Sequence, residues 1–308
     1  VDHATRRECA KLAVAFRKVS ICLYALTSTD DMVRIHCARF LLTALPADEA
    51  CSLASDLAFD SCAVVRREAL TCVLEQCPHD REARLRKALL DGNASVRGLA
   101  ADKLRMTLGL DVASIFRSHL TGVSDRQAAA SIVGLGECGS ADDVPLLRSI
   151  LGTGSLRIRR SVLHAIAILD AQGNADLFSA ALVSASPGVS RKACEILLKD
   201  PSLADASALE TAMLSSGHGH VRKNAFKVLA RSQKWPSLRF ILLAVQASDE
   251  ALSDWPSNAL RRWLRDYSRR FTQAQAAELR CLKSLLGRLK AKLPAPQYST
   301  LDAIMKAH

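Results

Sequence analysis

The sequence predicts an all-α chain, a right-handed α-solenoid of helix pairs with about seven to eight repeats of about 31 residues. Three observations predict it. One amphipathic pattern recurs at a fixed spacing, and turn-forming residues collect ahead of each copy. Ala and Leu dominate, aromatics are only 5%, and Gly and Pro fall mainly between the periodic segments.

The recurring pattern is plainest in "AVVRREALTCVL", and it returns as "SVRGLAADKL", "RIRRSVLHAI" and "HVRKNAFKVL". Taking the apolar residue before the Arg as origin gives Val33, Val65, Val96, Ile158, Val189 and Val221, separated by 32, 31, 62, 31 and 32 residues. The double interval predicts a seventh copy near residue 127. It is found in "DRQAAASIVGL", with Asp125 at the origin, Arg126 in the Arg column, and Ala129 and Val133 at the following apolar positions. The Arg column otherwise holds Arg34, Arg66, Arg97, Arg159 and Arg222, with Ser190 the exception and Arg191 directly after it. Four and eight residues past each origin stand residues such as Cys37 and Leu41, Ala69 and Val73, Ala225 and Leu229. Offsets of 0, 4 and 8 make one helical stripe, whose small central residue lets a neighbouring helix approach.

Ahead of the copies lie "DGNAS", "GTGS", "SASPG" and "SSGHGH", and ahead of those another periodic segment such as "NADLFSAALV". Each unit therefore reads as helix, tight turn, helix. At these residues the chain resembles the HEAT-repeat family, in particular its short bacterial form related to phycobilin-lyase repeats. The motif is Asp, a short loop, then Val-Arg-x-x-Ala, as in Asp60 with Val65, Arg66 and Ala69, and Asp91 with Val96, Arg97 and Ala100; the match runs from about residue 28 to 232. Other copies carry Ser28, Thr153, Ser184 and Ser216 at the Asp position, which predicts a hydroxyl cap in place of a carboxylate. The resemblance implies that the column Arg pairs with the interhelical Asp of its own or an adjacent unit, making Arg66 and Arg97 structural.

One solenoid is expected over 1–308, regular over 1–247, with an irregular basic terminal repeat and cap over 248–308. No apolar run reaches the 18 or so residues of a membrane span and no signal segment opens the chain, so a cytoplasmic monomer without membrane contact is expected. Val1 in place of Met is what a processed or trimmed piece would show.

Ten cysteines, seven of them within the first 77 residues, form no Cys-x-x-Cys pair. Cys37 and Cys194 fall on or beside the stripe, and Cys9, Cys22, Cys62 and Cys72 have apolar neighbours, so most read as small buried thiols in a reducing compartment. A zinc site from Cys72, Cys77 and His79, with Cys62, is the sharper alternative, but its spacing matches no known zinc module. His218 and His220 read as part of a polar turn in which Gly217 and Gly219 supply positive φ. No hydrolase, phosphate-loop, dinucleotide or metalloprotease motif is present, so no catalytic residue, metal or cofactor is assigned.

Charge discriminates more. Residues 1–150 carry 19 Lys and Arg against 19 Asp and Glu, whereas residues 151–308 carry 23 against 12, so the net +11 lies in the second half. With the second helix of each pair lining the concave side, as in solenoids of this kind, Arg160, Arg191, Lys192, Lys223, Arg261, Arg262 and Arg265 would form a basic track there. The column residues Arg159 and Arg222 are the more structural of the set.

The eighth origin is due at residue 252, but "ALSDWPSN" intervenes and the best match is Leu260 in "LRRWL", eight residues late. Beyond it Trp263, Tyr267 and Phe271 share one helical face and Arg261, Arg265 and Arg269 another. The aromatic face reads as a cap on the terminal repeat, packed under "AELRCLKSLLGRLKAKL". Trp255 and Trp263 are also candidates for stacking on a base. A weaker similarity is to the HEAT-like alkylpurine DNA glycosylases, which set Trp and Asp in a concave cleft. Asp254, Trp255 and Trp263 are the corresponding material here, but their context departs from that family's and none of its catalytic residues carries over. The expected function is therefore a noncatalytic scaffold or adaptor that binds an acidic protein or peptide along a basic concave face. Nucleic acid is the alternative partner.

Overall fold

A computed structural model describes residues 2–79, 81–121, 123–267 and 272–308. The chain is all-helical, with no strand among the described residues, and it divides into two compact units, Val1–Gly139 and Ser140–His308. The first unit holds α1 His3–Ala15, α2 Val19–Ala25, α3 Asp31–Ala44, α4 Ala47–Leu57, α5 Ala63–Gln76, α6 Arg81–Ala88, α7 Ala94–Leu108, α8 Val112–Ser118 and α9 Asp125–Cys138. The second holds α10 Val144–Leu151, α11 Leu156–Leu169, α12 Ala175–Leu182, α13 Pro187–Lys199, α14 Ala206–Ser215, α15 Gly219–Leu229, α16 Lys234–Ala247, α17 Trp255–Asp266, α18 Ala276–Arg288 and α19 Ala295–Ala307.

The expected stripe is the core. Val33, Cys37 and Leu41 of α3, Val65, Ala69 and Val73 of α5, Val96, Ala100 and Leu104 of α7, Val189, Ala193 and Leu197 of α13, and Val221, Ala225 and Leu229 of α15 are all buried. Within the first unit α3 packs on α5 and α5 on α7; within the second, α11 packs on α13 and α13 on α15. The helices that bear the stripe begin at N-caps Asp30, Cys62, Asn93, Ser124, Ser155, Ser186 and His218, each 31 or 32 residues after the last.

That spacing corrects the fourth copy. The start of α9 is set by a capping box between Ser124 and Gln127, so the origin is Gln127 and not Asp125. The Arg column there holds Ala128, while Arg126 is exposed. The stripe continues through Ser131 and Leu135, both fully buried, and Val133 is only half-buried. Apolar alignment alone missed this because a polar pair fixes the helix start.

Five of the six predicted side-chain oxygens hold the turns before these helices, and Thr153 makes no such bond. Asp60 Oδ1 accepts the Cys62 N–H at 2.6 Å and Asp91 Oδ1 the Asn93 N–H at 2.7 Å. Ser28, Ser184 and Ser216 do the same for Asp30, Ser186 and His218, each at 3.2 Å. Gly217 and Gly219 do not supply positive φ; among the described residues the glycine that does is Gly109, at +64°, which ends α7 in a left-handed cap. The eighth copy stays in phase longer than expected. Leu252 is buried at the position due, and the delay arises after it, where Ser253 turns left-handed and α17 starts from Asp254. Ser257 is thus the third residue of α17, which makes the helix later than its phase but earlier than Leu260 implied.

The cysteine expectation holds in part. Cys22, Cys37, Cys72 and Cys194 are buried free thiols, and burial pushes Cys37 up to about 12. Cys9, however, is exposed, and Cys51 of α4 is disulfide-bonded to Cys77 at the end of α5, with Cα atoms 6.0 Å apart. The antiparallel packing of α4 on α5 brings together two residues that no short motif links. Disulfides persist in oxidising compartments, so the bond removes the ground for a reducing one. It also takes Cys77 out of the zinc alternative.

Candidate basic cleft

The column arginines show what the repeated motif does with charge. In the first unit Arg34 donates Nη1 to the Ser28 carbonyl at 2.8 Å and clasps Asp60, in the next turn, through Nε and Nη2, both at 2.9 Å. Arg66 repeats this on the Asp60 carbonyl and the Asp91 carboxylate, and Arg97 on the Asp91 carbonyl. Thirty-one residues after Asp91 the sequence has a glycine and so no carboxylate, and Arg97 takes Glu137 of α9 instead, at 2.5 and 3.1 Å. Burial pushes the Asp60 and Asp91 carboxyls up, but the bonds from Arg34 and Arg66 and from backbone N–H groups outweigh it and hold both below the usual range. These arginines are structural.

In the second unit the clasp recurs once, where Arg222 donates to the Ser216 carbonyl and to Asp249. At Arg159 the following turn has Ser184 and no carboxylate, and the Arg159 Nε is buried without a hydrogen-bond partner. Ser190 replaces the column Arg on α13 and is fully buried, bonding the Leu182 carbonyl and Asn224. Arg191 beside it stays exposed.

Six other cations of this unit line a cleft of about 1130 Å³. The ends of α13 and α15 form one wall, with Leu198, Pro201, Phe226 and Ala230 beside Lys227 and Arg231. The opposite wall is α17, with Trp255, Arg261, Arg262, Trp263 and Arg265, and α16 contributes Lys234, Ser237 and Ile241. Six of the lining side chains are cationic, and Asp266 is the one carboxylate. Arg265 lies 3.4 Å from it. So cationic a lining makes the local potential positive, which would favour an anionic ligand over a cationic one.

The cleft gathers five of the sequence-predicted site residues, Trp255, Arg261, Arg262, Trp263 and Arg265. It does not gather Arg160, which is exposed on α11, Arg191, or Lys192, which sits 3.7 Å from Glu195. Lys223 stands next to it, its Nζ 5.8 Å from the Trp255 ring centre. Lys227 lies closer, at 4.7 Å, and was missed, as were Arg231 and Lys234. A signal existed, because Lys223, Lys227 and Arg231 are four apart and share one face of α15 and its end.

The aromatic residues divide into two groups. Trp235 is buried, with its ring edge-on to Trp263 at 5.9 Å, to Tyr267 at 6.2 Å and to His308 at 5.1 Å. The Trp263 Nε1–H donates to the Lys234 carbonyl, and the Tyr267 hydroxyl meets His308 at 2.8 Å. The cap expected under residues 277–293 is thus built instead on α16 and the chain end; Arg269 and Phe271 lie outside the described residues. Trp255 stands apart from this stack, half-buried at the start of α17.

Elsewhere, the rings of His218 and His220 are 5.5 Å apart, and His220 Nε2 lies 3.1 Å from the Ser184 carbonyl. No group of three or more His, Cys, Asp or Glu side chains among the described residues could hold a metal ion. No helix among them is long and apolar enough to cross a membrane. No protein-family model and no curated protein matches the chain.

Proposed function

We propose that this chain is a noncatalytic scaffold or adaptor that grips an acidic protein partner through the basic cleft of its second unit. The helix pairs are read as a right-handed α-solenoid of HEAT-like repeats, seven to eight in number; the 31- or 32-residue spacing of the helix starts and the recurring arginine clasp support that reading. The observation that carries the function is the lining of the cleft, six cations to one carboxylate. The Cys51–Cys77 disulfide favours an oxidising compartment over the cytoplasm expected from the sequence, and we read the chain there as a monomer.

Nucleic acid is the second reading, favoured by Trp255, whose ring is partly exposed beside two lysines. Affinity capture from a cell lysate, with and without nuclease, separates the two. On the protein reading a partner is retained after nuclease and lost when Arg231, Arg262 and Arg265 are together changed to Glu. Reversal of Arg160, Lys192 and Arg191 should matter less. Loss of all captured material on nuclease treatment overturns the protein reading, and equal capture by the reversed variant overturns the cleft.

A further inference from the structure

We infer that the segment this cleft takes carries apolar side chains together with Asp or Glu; the inference rests on the acidic-partner reading above. It follows from the mixed lining. At the ends of α13 and α15 Leu198, Pro201 and Ala230 stand beside Lys227 and Arg231, and on α17 Trp255, Ala259 and Trp263 stand beside Arg261, Arg262 and Arg265. A purely acidic chain would satisfy the cations and leave carboxylates against the apolar side chains, where desolvated charge gains no partner. A purely apolar chain would bury the arginines without counter-charge. A segment with both kinds of side chain matches the lining.

The size of the cleft points the same way. At about 1130 Å³ it exceeds the usual range of small-molecule pockets, about 300–1,000 Å³, and suits a stretch of chain. Acidic side chains pair with guanidinium groups in a planar fork, and three arginines on one helix can meet several carboxylates in sequence.

The aromatic groups weigh against a nucleic-acid strand. Successive bases need successive open ring faces, but Trp235 is buried, Trp263 is fixed against it by ring contact and by the bond from its Nε1, and Tyr267 is held by His308. Trp255 is left, with Lys227 and Lys223 lying over its ring. A partner carboxylate can draw those lysines aside and leave the indole as an apolar contact for the same segment.

The test is fluorescence anisotropy of the full chain at about 150 mM salt with four labelled probes: a peptide of about 14 residues with Leu on one helical side and Glu on the other, its scrambled sequence, an all-Glu/Gln peptide of equal charge, and an oligothymidine of similar length. The amphipathic peptide should bind at least about tenfold tighter than the all-polar peptide, and the scrambled peptide, of the same composition, should also outbind the all-polar one. Ala230→Glu, among the apolar side chains of the lining, should remove that preference over the all-polar peptide, and Arg262→Glu, on an exposed side chain, should weaken both acidic peptides about tenfold; an unchanged circular-dichroism melt certifies each variant as folded. Equal binding of the amphipathic and all-polar peptides overturns the apolar requirement while leaving the acidic-partner reading in place. Binding of the oligothymidine alone overturns both. Binding of the amphipathic peptide that is indifferent to Arg262→Glu and Ala230→Glu overturns the placement in this cleft.

Discussion

The column arginines of the first unit are all clasped by carboxylates, whereas the second unit keeps that clasp only at Arg222. In the first unit Arg34, Arg66 and Arg97 each close on a carboxylate, so basic and acidic side chains are consumed against one another. In the second unit Arg222 alone keeps that partner, Arg159 has none, and Ser190 has replaced the Arg altogether. The hydroxyls of Ser184 and Ser216 still hold their turns, so the Asp can be lost without losing the turn. What is lost is the counter-charge. The basic balance of the second half therefore comes as much from missing carboxylates as from added cations.

The largest effect should come from the paired side. Arg34→Ala removes a guanidinium that is 8% exposed and leaves Asp60, 10% exposed, without its bidentate donor. Breaking a buried pair by removing one partner costs about 3 to 5 kcal/mol, and urea denaturation followed by hydrogen exchange in the first unit should read it. Arg159→Ala deletes no carboxylate pair and should stay within about 1 kcal/mol. Similar losses at both positions would break the comparison.

Reduction of the Cys51–Cys77 bond, or Cys51→Ser, should come next. The bond spans 26 residues, and a closed loop of that order is worth about 2 to 4 kcal/mol through restriction of the unfolded chain. The loss should appear in the first unit and leave exchange in the second unchanged.

Acid should distinguish the units more gently. In the first, Arg7 holds the Asp30 carboxyl down to about 2, and Asp60 and Asp91 are also held below the usual range. A carboxyl depressed in the folded state stabilises fully above its unfolded value, about 4, and that stabilisation fades as pH falls through the folded value. In the second unit Asp249 is held down by Arg222, and Asp205 by the Ser207 hydroxyl and backbone N–H groups. Melting temperature should be flat from about pH 7 to 5, with first-unit protection falling ahead of second-unit protection between about pH 4 and 2. The opposite order would mean that the clasps contribute little.

The helices were legible because their stripe is a periodic burial signal, and a register of small central residues such as Ala69, Ala100 and Ala225 repeats it without ambiguity. The fourth helix start was misread because Ser124 and Gln127 set it through hydrogen bonds that carry no apolar signature. The disulfide was illegible because Cys51 and Cys77 meet only when α4 turns back on α5. Of the cleft, α17 was visible as a run of Arg and Trp, but the side formed by α13 and α15 was not, since Leu198 and Pro201 look like ordinary core residues until two helix ends bring them to one space. Lys227 and Arg231 carry no such mark in the sequence, because the repeat column falls at the start of α15 and the cleft lies at its end.

The smallest expected effect tests the unpaired side most directly. Lys223 is half-buried, and its Nζ lies 5.8 Å from the Trp255 ring centre, near the outer limit at which a cation is attracted to an aromatic face. Lys227, at 4.7 Å, already supplies the closer cation. Lys223→Ala should therefore change the stability of the second unit by no more than about 0.5 kcal/mol, measured by denaturant titration of the variant beside the parent. The Trp255 environment should stay occupied by Lys227, so intrinsic fluorescence should shift little. A loss approaching that of Arg34→Ala would show that the second unit depends on Lys223 as the first depends on its clasps. Its cations would then be part of the packing, and the contrast between a unit that spends its charge internally and one that does not would fail.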